Sequence, residues 1–264
     1  MTEAELNEAA AFAGRLADAG GAVARQYFRQ ALPVETKADA SPVTRADRET
    51  EAAMRALIEE HYPNDGIVGE EHGQDRAEAA RLWVLDPIDG TRSFVTGVPL
   101  FGTLIALAVD GVPVVGVIDQ PMTRERWVGI AGAATTLNGA PVCARDCAEL
   151  RSATLSTTGE EFLAGAGELE AFNRVRAAAG AFRRVPDCYG YAMLATGFVD
   201  LVIEAALKTW DFAALRPVIE GAGGIVTDWG GRPLDLSSDG RIAAAGDARC
   251  HAQALAALDW PDEI

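Results

Sequence analysis

The segment Trp83-Val84-Leu85-Asp86-Pro87-Ile88-Asp89-Gly90-Thr91 ends an apolar run in two carboxylates three residues apart. Such a strand delivers Asp86 at its C-terminal end, where Pro87 removes a ladder donor and stops the pairing. Asp89-Gly90 is a turn signal, and Gly90 permits close backbone approach. Two carboxylates on a rigid turn can meet at one point, and acid-only chemistry favours hard cations such as Mg²⁺ over zinc. The N–H groups of Gly90 and Thr91, at the start of a helical turn, can hold an anionic oxygen. Other acids stand in settings that fit the same chemistry. Glu70 lies on the glycine-flanked turn Gly69-Glu70-Glu71-His72-Gly73, and Asp211 lies between Trp210 and Phe212. Each has a plain alternative. Asp86-Pro87 and Asp89-Gly90 suit simple turns, and Glu70 suits a solvated loop. Asp211 suits the first turn of a helix, and Asp47 suits a cap. His72 reads as a surface residue. Each alternative stands singly, but all of them together make a poorer account.

The elements that must position these acids follow from periodicity. Leu6, Ala10, Ala13, Leu16, Val23 and Tyr27 recur at helical spacing, so residues 3–29 read as an amphipathic helix. A polar loop with Lys37, Asp39, Ser41 and Pro42 follows, and Thr44 with Asp47 forms a capping box for a helix to about His61. Ile67-Val68, residues 82–85, 103–109, 113–118, 127–131 and 153–156 read as strands, with a hairpin at Asp110-Gly111. The first half therefore pairs helices with an antiparallel sheet. Beyond it, strands at 181–185, 201–204, 224–227 and 242–245 alternate with helices at 169–179, 189–196, 211–222 and 251–258, which suggests βαβ units. The change of style near residue 150 divides the chain into 1–150, carrying most of the candidate ligands, and 151–264, completing the site.

Over 264 residues the chain is 49% apolar and 23% charged, an ordinary globular balance with length for one large domain or two small ones. The formal net charge of −16 argues against nucleic acid or an anionic membrane as partner. No run of apolar residues reaches membrane-spanning length, and the acidic start lacks a basic leader region, so a cytoplasmic location is expected. Cys143, Cys147, Cys188 and Cys250 then read as free thiols, and no second Cys or His pair completes a zinc site.

These pieces resemble the inositol monophosphatase family. The resemblance rests on Asp86-Pro87-Ile88-Asp89-Gly90-Thr91, Trp210-Asp211 and Gly69-Glu70-Glu71. It extends to Lys37, Val43-Thr44-Arg45-Ala46-Asp47, Ala195-Thr196-Gly197, Glu204 and Gly221-Ala222-Gly223-Gly224, and so covers roughly residues 5–258. The stretches 92–97, 102–107, 116–121, 125–129, Asp187-Cys188-Tyr189-Gly190-Tyr191 and Leu207-Lys208 are similar to its histidinol-phosphatase branch. The resemblance implies an α+β fold, a layered αβαβα sandwich of the inositol monophosphatase/fructose bisphosphatase type, usually as a homodimer. It also implies hydrolysis of a small phosphate monoester with two or three Mg²⁺ per site. The cations would offset the paradox of an acidic protein that binds an anion.

By the same resemblance, Glu70, Asp86 and the Ile88 carbonyl hold one metal, and Asp86, Asp89 and Asp211 hold a second. Thr91 and Asp47 orient the attacking water, Glu70 helps take its proton, and a water near Asp211 protonates the leaving alcohol, with no covalent phospho-enzyme. Glu70, Ile88, Asp89, Gly90, Thr91 and Asp211 also face the substrate. Histidinol phosphate, a metabolite of histidine biosynthesis, carries an ammonium and an imidazole, which call for acids away from the metals. Asp187 and Glu204 are the candidates. A solvated turn for Asp187, and pairing of Glu204 with Lys208 or Arg184, remain open. Arg184 is placed at the phosphate or in a dimer contact. Inositol phosphate or a broad set of small phosphomonoesters is the alternative, since the same acids can bind hydroxyls. A nucleotide bisphosphate ranks third, because Arg183 and Arg184 are the only adjacent basic pair found for a second phosphate. A non-catalytic metal or ligand sensor is the non-enzyme reading.

Overall fold

The computed structural model describes residues 1–31, 33–36 and 42–261. Lys37, Asp39 and Ser41 lie outside the described residues. The first half runs α1 (Glu3–Tyr27), β1 (Glu35–Thr36), β2 (Pro42–Val43), α2 (Arg45–His61), β3 (Gly66–Gly69), β4 (Gly73–Asp75), β5 (Arg81–Asp89), α3 (Thr91–Val95), β6 (Gly102–Val109), β7 (Val112–Gln120), β8 (Glu125–Ile130), β9 (Thr136–Leu137) and β10 (Ala140–Pro141). The second half runs β11 (Thr154–Thr157), α4 (Glu168–Ala178), β12 (Ala181–Arg184), α5 (Cys188–Ala195), β13 (Leu201–Glu204), α6 (Thr209–Phe212), α7 (Leu215–Gly221), β14 (Ile225–Thr227), β15 (Ile242–Ala245) and α8 (Ala248–Leu258).

These elements stack in five layers. The apolar stripe of α1, with Phe12, Leu16 and Ala17, and the inner face of α2, with Met54 and Ile58, pack on Trp83, Ile105 and Val117 of the first sheet. That sheet has the order β10-β9-β8-β7-β6-β5-β3-β4. On its other face lie α5, α6 and α7, whose Tyr191, Phe212 and Val218 share one core with Val84 and Ile118 of the first sheet and Val202 and Ala244 of the second. The second sheet has the order β12-β11-β13-β15-β14. Helices α4 and α8, through Phe172 and Ala254, close its outer face over Leu155. This is a layered αβαβα sandwich.

Several expectations change in detail. The first sheet is antiparallel except where β3 pairs parallel to β5. The chain leaves β3 outward into the edge strand β4 before returning, so β3 and β5 run the same way. In the second sheet β12, β11 and β13 are parallel, while β15 runs antiparallel to both β13 and β14. Instead of one helix over 211–222, the chain forms α6 and α7 with a break at 213–214. Pro217 has no N–H to return to residue 213, and it is tolerated because it falls in the first turn of a new helix. The capping box of α2 forms as the spacing predicts. Thr44 Oγ1 accepts from Ala46 N–H at 3.1 Å, and Asp47 Oδ2 accepts the N–H and hydroxyl of Thr44 at 2.8 and 2.7 Å.

Candidate active site

In a regular strand, residues three apart face opposite sides of the sheet. The pairing of β5 with β6 slips between Asp86 and Asp89, and this irregularity turns both carboxylates toward one point. The Pro87 carbonyl freed by the slip accepts from Thr103 Oγ1 at 2.9 Å, and Asp86 Oδ1 accepts from Ile88 N–H at 3.0 Å. Asp211 arrives from the first turn of α6, where Oδ2 accepts from Lys208 N–H at 2.7 Å. Carboxylate oxygens of Asp86, Asp89 and Asp211 all lie within 4.8 Å of one another. The start of α5 adds the Cys188 N–H, which donates to Asp89 Oδ2 at 2.6 Å.

Packing three acids this closely is electrostatically unfavourable. Burial pushes the Asp86 carboxyl well above its usual range, and Glu70, Asp89 and Asp211 push it further. Burial raises Asp89 likewise, with Asp187 and Asp211 adding, against the opposing Cys188 hydrogen bond. Asp211 is raised to about 7, mainly by burial, against the Lys208 N–H that favours its charged form. An all-oxygen donor set whose members repel one another fits hard divalent cations, which would relieve the repulsion and restore the charged forms. Glu70 lies on the turn after β3, its N–H donating to the Leu85 carbonyl at 3.2 Å and its charge acting on both Asp86 and Asp211.

Thr91 opens α3 just after Gly90, which has φ +85° and so adopts the left-handed conformation that glycine tolerates. Its hydroxyl lies 3.1 Å from the Ile88 carbonyl and 3.2 Å from Asp47 Oδ1. Asp47 therefore both completes the capping box of α2 and partners Thr91. Burial raises its carboxyl, opposed by the bonds from Thr44 and Thr91.

A cavity of about 180 Å³ joins the cluster to the second half, lined by Asp89, Asp211, Tyr191, Glu204 and Asp187 among others, with Asp187 close enough to Asp89 to raise its carboxyl. Glu204 pairs with neither Lys208 nor Arg184. Its Oε1 accepts from Thr158 N–H at 2.6 Å and its Oε2 from the Tyr191 hydroxyl at 2.9 Å. Burial lifts it to about 7 against those two bonds. Asp187 is half-buried, accepts from Ser93 Oγ at 3.1 Å, and is raised by burial to about 6 although Ser93 and Arg92 oppose this. Arg184 lies apart from these groups, exposed on β12 and ion-paired with Glu160. His72 is exposed, with Nε2 3.0 Å from the Arg48 carbonyl. Sequence reasoning missed Thr157, Thr158, Phe162 and Tyr191 as cavity walls. Only Tyr191 carried a signal, as part of the Asp187–Tyr191 stretch.

Residues 5–260 match the sequence profile of the inositol monophosphatase family. The bifunctional phosphatase IMPL2 of Arabidopsis thaliana, described as chloroplastic, is 48% identical over 273 residues, covering 98% of this chain and 78% of that protein. A histidinol-phosphatase of Chlorobaculum parvum is 37% identical over 87% of this chain and 89% of its own length. Among solved structures, an inositol monophosphatase from Zymomonas mobilis superposes with a TM-score of 0.89 at 46% identity, covering 98% of this chain and all of that one.

Proposed function

This chain belongs to the inositol monophosphatase family, and on that premise we propose that it converts L-histidinol phosphate to L-histidinol and phosphate. The family and its histidinol-phosphatase relatives make it a phosphoric monoester hydrolase. The proposal adds the substrate and the residue roles. Glu70, Asp86, the Ile88 carbonyl, Asp89 and Asp211 hold two or three Mg²⁺. When bound, those cations neutralise phosphate charge and make water a competent nucleophile at neutral pH. Thr91 and Asp47 orient the attacking water, and Glu70 takes its proton. The N–H groups of Gly90 and Thr91 face the phosphate. Asp187 and Glu204 receive the ammonium as a charge-assisted partner. The enzyme acts as a cytoplasmic homodimer, without nucleic acid or membrane. Among the described residues no helix is long and apolar enough to cross a membrane.

The observation that carries the substrate reading is the cavity that Glu204 and Asp187 line together with Asp89 and Asp211. A cationic alcohol held there leaves its ester oxygen beside the acid cluster. The relatives named histidinol-phosphatases support it. The similarity to a solved inositol monophosphatase favours a second reading, in which the same acids accept hydroxyl hydrogens. Phosphate release from histidinol phosphate, inositol phosphate and adenosine bisphosphate, with Mg²⁺ and with EDTA, separates them. Histidinol phosphate is expected to be fastest and EDTA to abolish turnover; equal rates on all three would leave a broad phosphatase.

A further inference from the structure

Glu51 is fully buried and takes no part in the chemistry above. It lies on α2 one turn after Asp47, so both carboxylates leave the same face of the helix. Asp47 reaches Thr91, whereas Glu51 reaches the turn that carries Glu70. Its Oε2 accepts from Glu71 N–H at 2.7 Å and its Oε1 from His72 N–H at 3.1 Å. Arg55, a further turn along, donates Nε to Oε1 at 2.7 Å, while its other arm holds the Gly73 carbonyl. Gly69 packs so closely that a methyl group there would lie 2.1 Å from Glu51 Oε1. Glu70 is thus bracketed, its own N–H tied to β5 and the next two N–H groups tied to Glu51.

A turn that only needed a partner for its N–H groups could face water. Here a charged group is buried instead, an arrangement that is costly unless every lone pair is used. What the turn must do is hold a direction, because Glu70 reaches Asp86 closely enough to raise its carboxyl both by charge and by a side-chain hydrogen bond. Charge-assisted bonds to two successive N–H groups are about twice as strong as neutral ones, and they fix the direction of the residue just before them.

We propose that Glu51 is a positioning residue for hydrolysis, clamping the 70–72 turn so that the Glu70 carboxylate faces Asp86 and the divalent cation. Helix α2 is then one strut serving two loops, Asp47 to Thr91 and Glu51 to Glu70. The inference rests on the proposed metal role of Glu70. It is tested by Mg²⁺ affinity, measured calorimetrically on substrate-free protein.

Glu51→Gln keeps the size but loses the charge and turns an amide N–H₂ toward the turn's donors. Mg²⁺ binding is expected to weaken about tenfold, the usual effect of removing a group that orients a ligand. Because Glu51 acts through Glu70, adding Glu51→Gln to Glu70→Gln should weaken binding by less than about twofold. A folded Glu51→Gln protein that binds Mg²⁺ like the parent overturns the inference, as do additive losses in the double variant. His72→Pro removes the N–H that reaches Glu51, and decides the matter if Glu51→Gln does not fold, with His72→Ala, which loses only the imidazole contact to the Arg48 carbonyl, as its reference. Because the Glu71 N–H still holds Glu51, His72→Pro should weaken Mg²⁺ binding by less than Glu51→Gln does, about threefold relative to His72→Ala, and unchanged affinity overturns the inference. If Glu70→Gln weakens Mg²⁺ binding and Glu51→Gln does not, only this inference fails. If Glu70→Gln has no effect, the metal role of Glu70 fails with it.

Discussion

Asp89 sits where three demands meet, between Asp86 and Asp211 and under the Cys188 N–H. Asp89→Asn keeps the shape and removes a charge that the fold tolerates poorly, so the protein should stay folded, with a Tm equal to or above the parent's in EDTA. Turnover should fall by about a hundredfold or more if, as proposed, Asp89 holds the catalytic cation; near-normal phosphate release would overturn the assignment. Glu204 gives a second residue-level prediction. With its carboxyl at about 7, it is largely neutral at pH 6 and largely charged at pH 8. A cationic substrate needs the charged form, so KM for histidinol phosphate should fall as pH rises through about 7. Glu204→Gln should raise KM about tenfold at pH 8 and flatten that profile. An unchanged KM would remove Glu204 from the amine site. The acids of the cluster were legible in the sequence because each sits on a turn or a helix start where a charged residue needs an explanation. Tyr191 and Thr158 were not, because what matters is which atoms meet Glu204 across 13 and 46 residues of chain. Periodicity reports only that Tyr191 is buried.

Helix and strand placement carries the site from these residues to the fold. Asp211 depends on α6 and α7 lying close against the first sheet, and Gly116 on β7 makes this possible. A methyl group added there would stand 2.1 Å from the Ala214 carbonyl, in the break between the two helices. Gly116→Ala should therefore lift α6 and α7, destabilising the protein by about 1–3 kcal/mol, as overpacking does. Chemical denaturation checks the stability, and Mg²⁺ titration checks the displacement of Asp211. Unchanged values for both would show that the helices are not seated on this glycine. Most elements could be read from apolar spacing and caps, as with α1, α2 and the hairpin at Asp110-Gly111. The slip in β5 could not be read, because Pro87 and Asp89-Gly90 read as the end of the strand, whereas β5 runs on through Pro87 and its pairing with β6 resumes at Asp89 with a shifted register. The short strands β4, β9 and β10 were also missed, each being two or three residues at or next to an edge of the first sheet, too short to show alternation.

At the scale of the whole molecule, residues from both halves build one acid-rich centre in a chain already at −16. Its effect on stability has a definite sign. Asp211 and Glu204 stand at about 7 in the fold, and Asp86 and Asp89 are raised well above their usual range. In an unfolded chain all four would ionise near pH 4. Between these limits the folded state binds more protons than the unfolded one, so stability falls as pH rises. The contribution of these groups is complete below about pH 4 and is lost as pH passes through about 7 and beyond. His251, buried and held below its ordinary value, acts in the opposite direction but at lower pH. Cation-free protein in EDTA should therefore melt several degrees lower at pH 8.5 than at pH 6.5, roughly 2–4 °C for each kcal/mol lost. Divalent cations bind the ionised form and favour it by mass action, so saturating Mg²⁺ should abolish or reverse that slope. A melting temperature in EDTA that is flat or rises over this interval would mean that burial and neighbouring charge do not hold these four acids above their usual range in the folded protein, and the case for a cation-binding centre would lose its electrostatic ground.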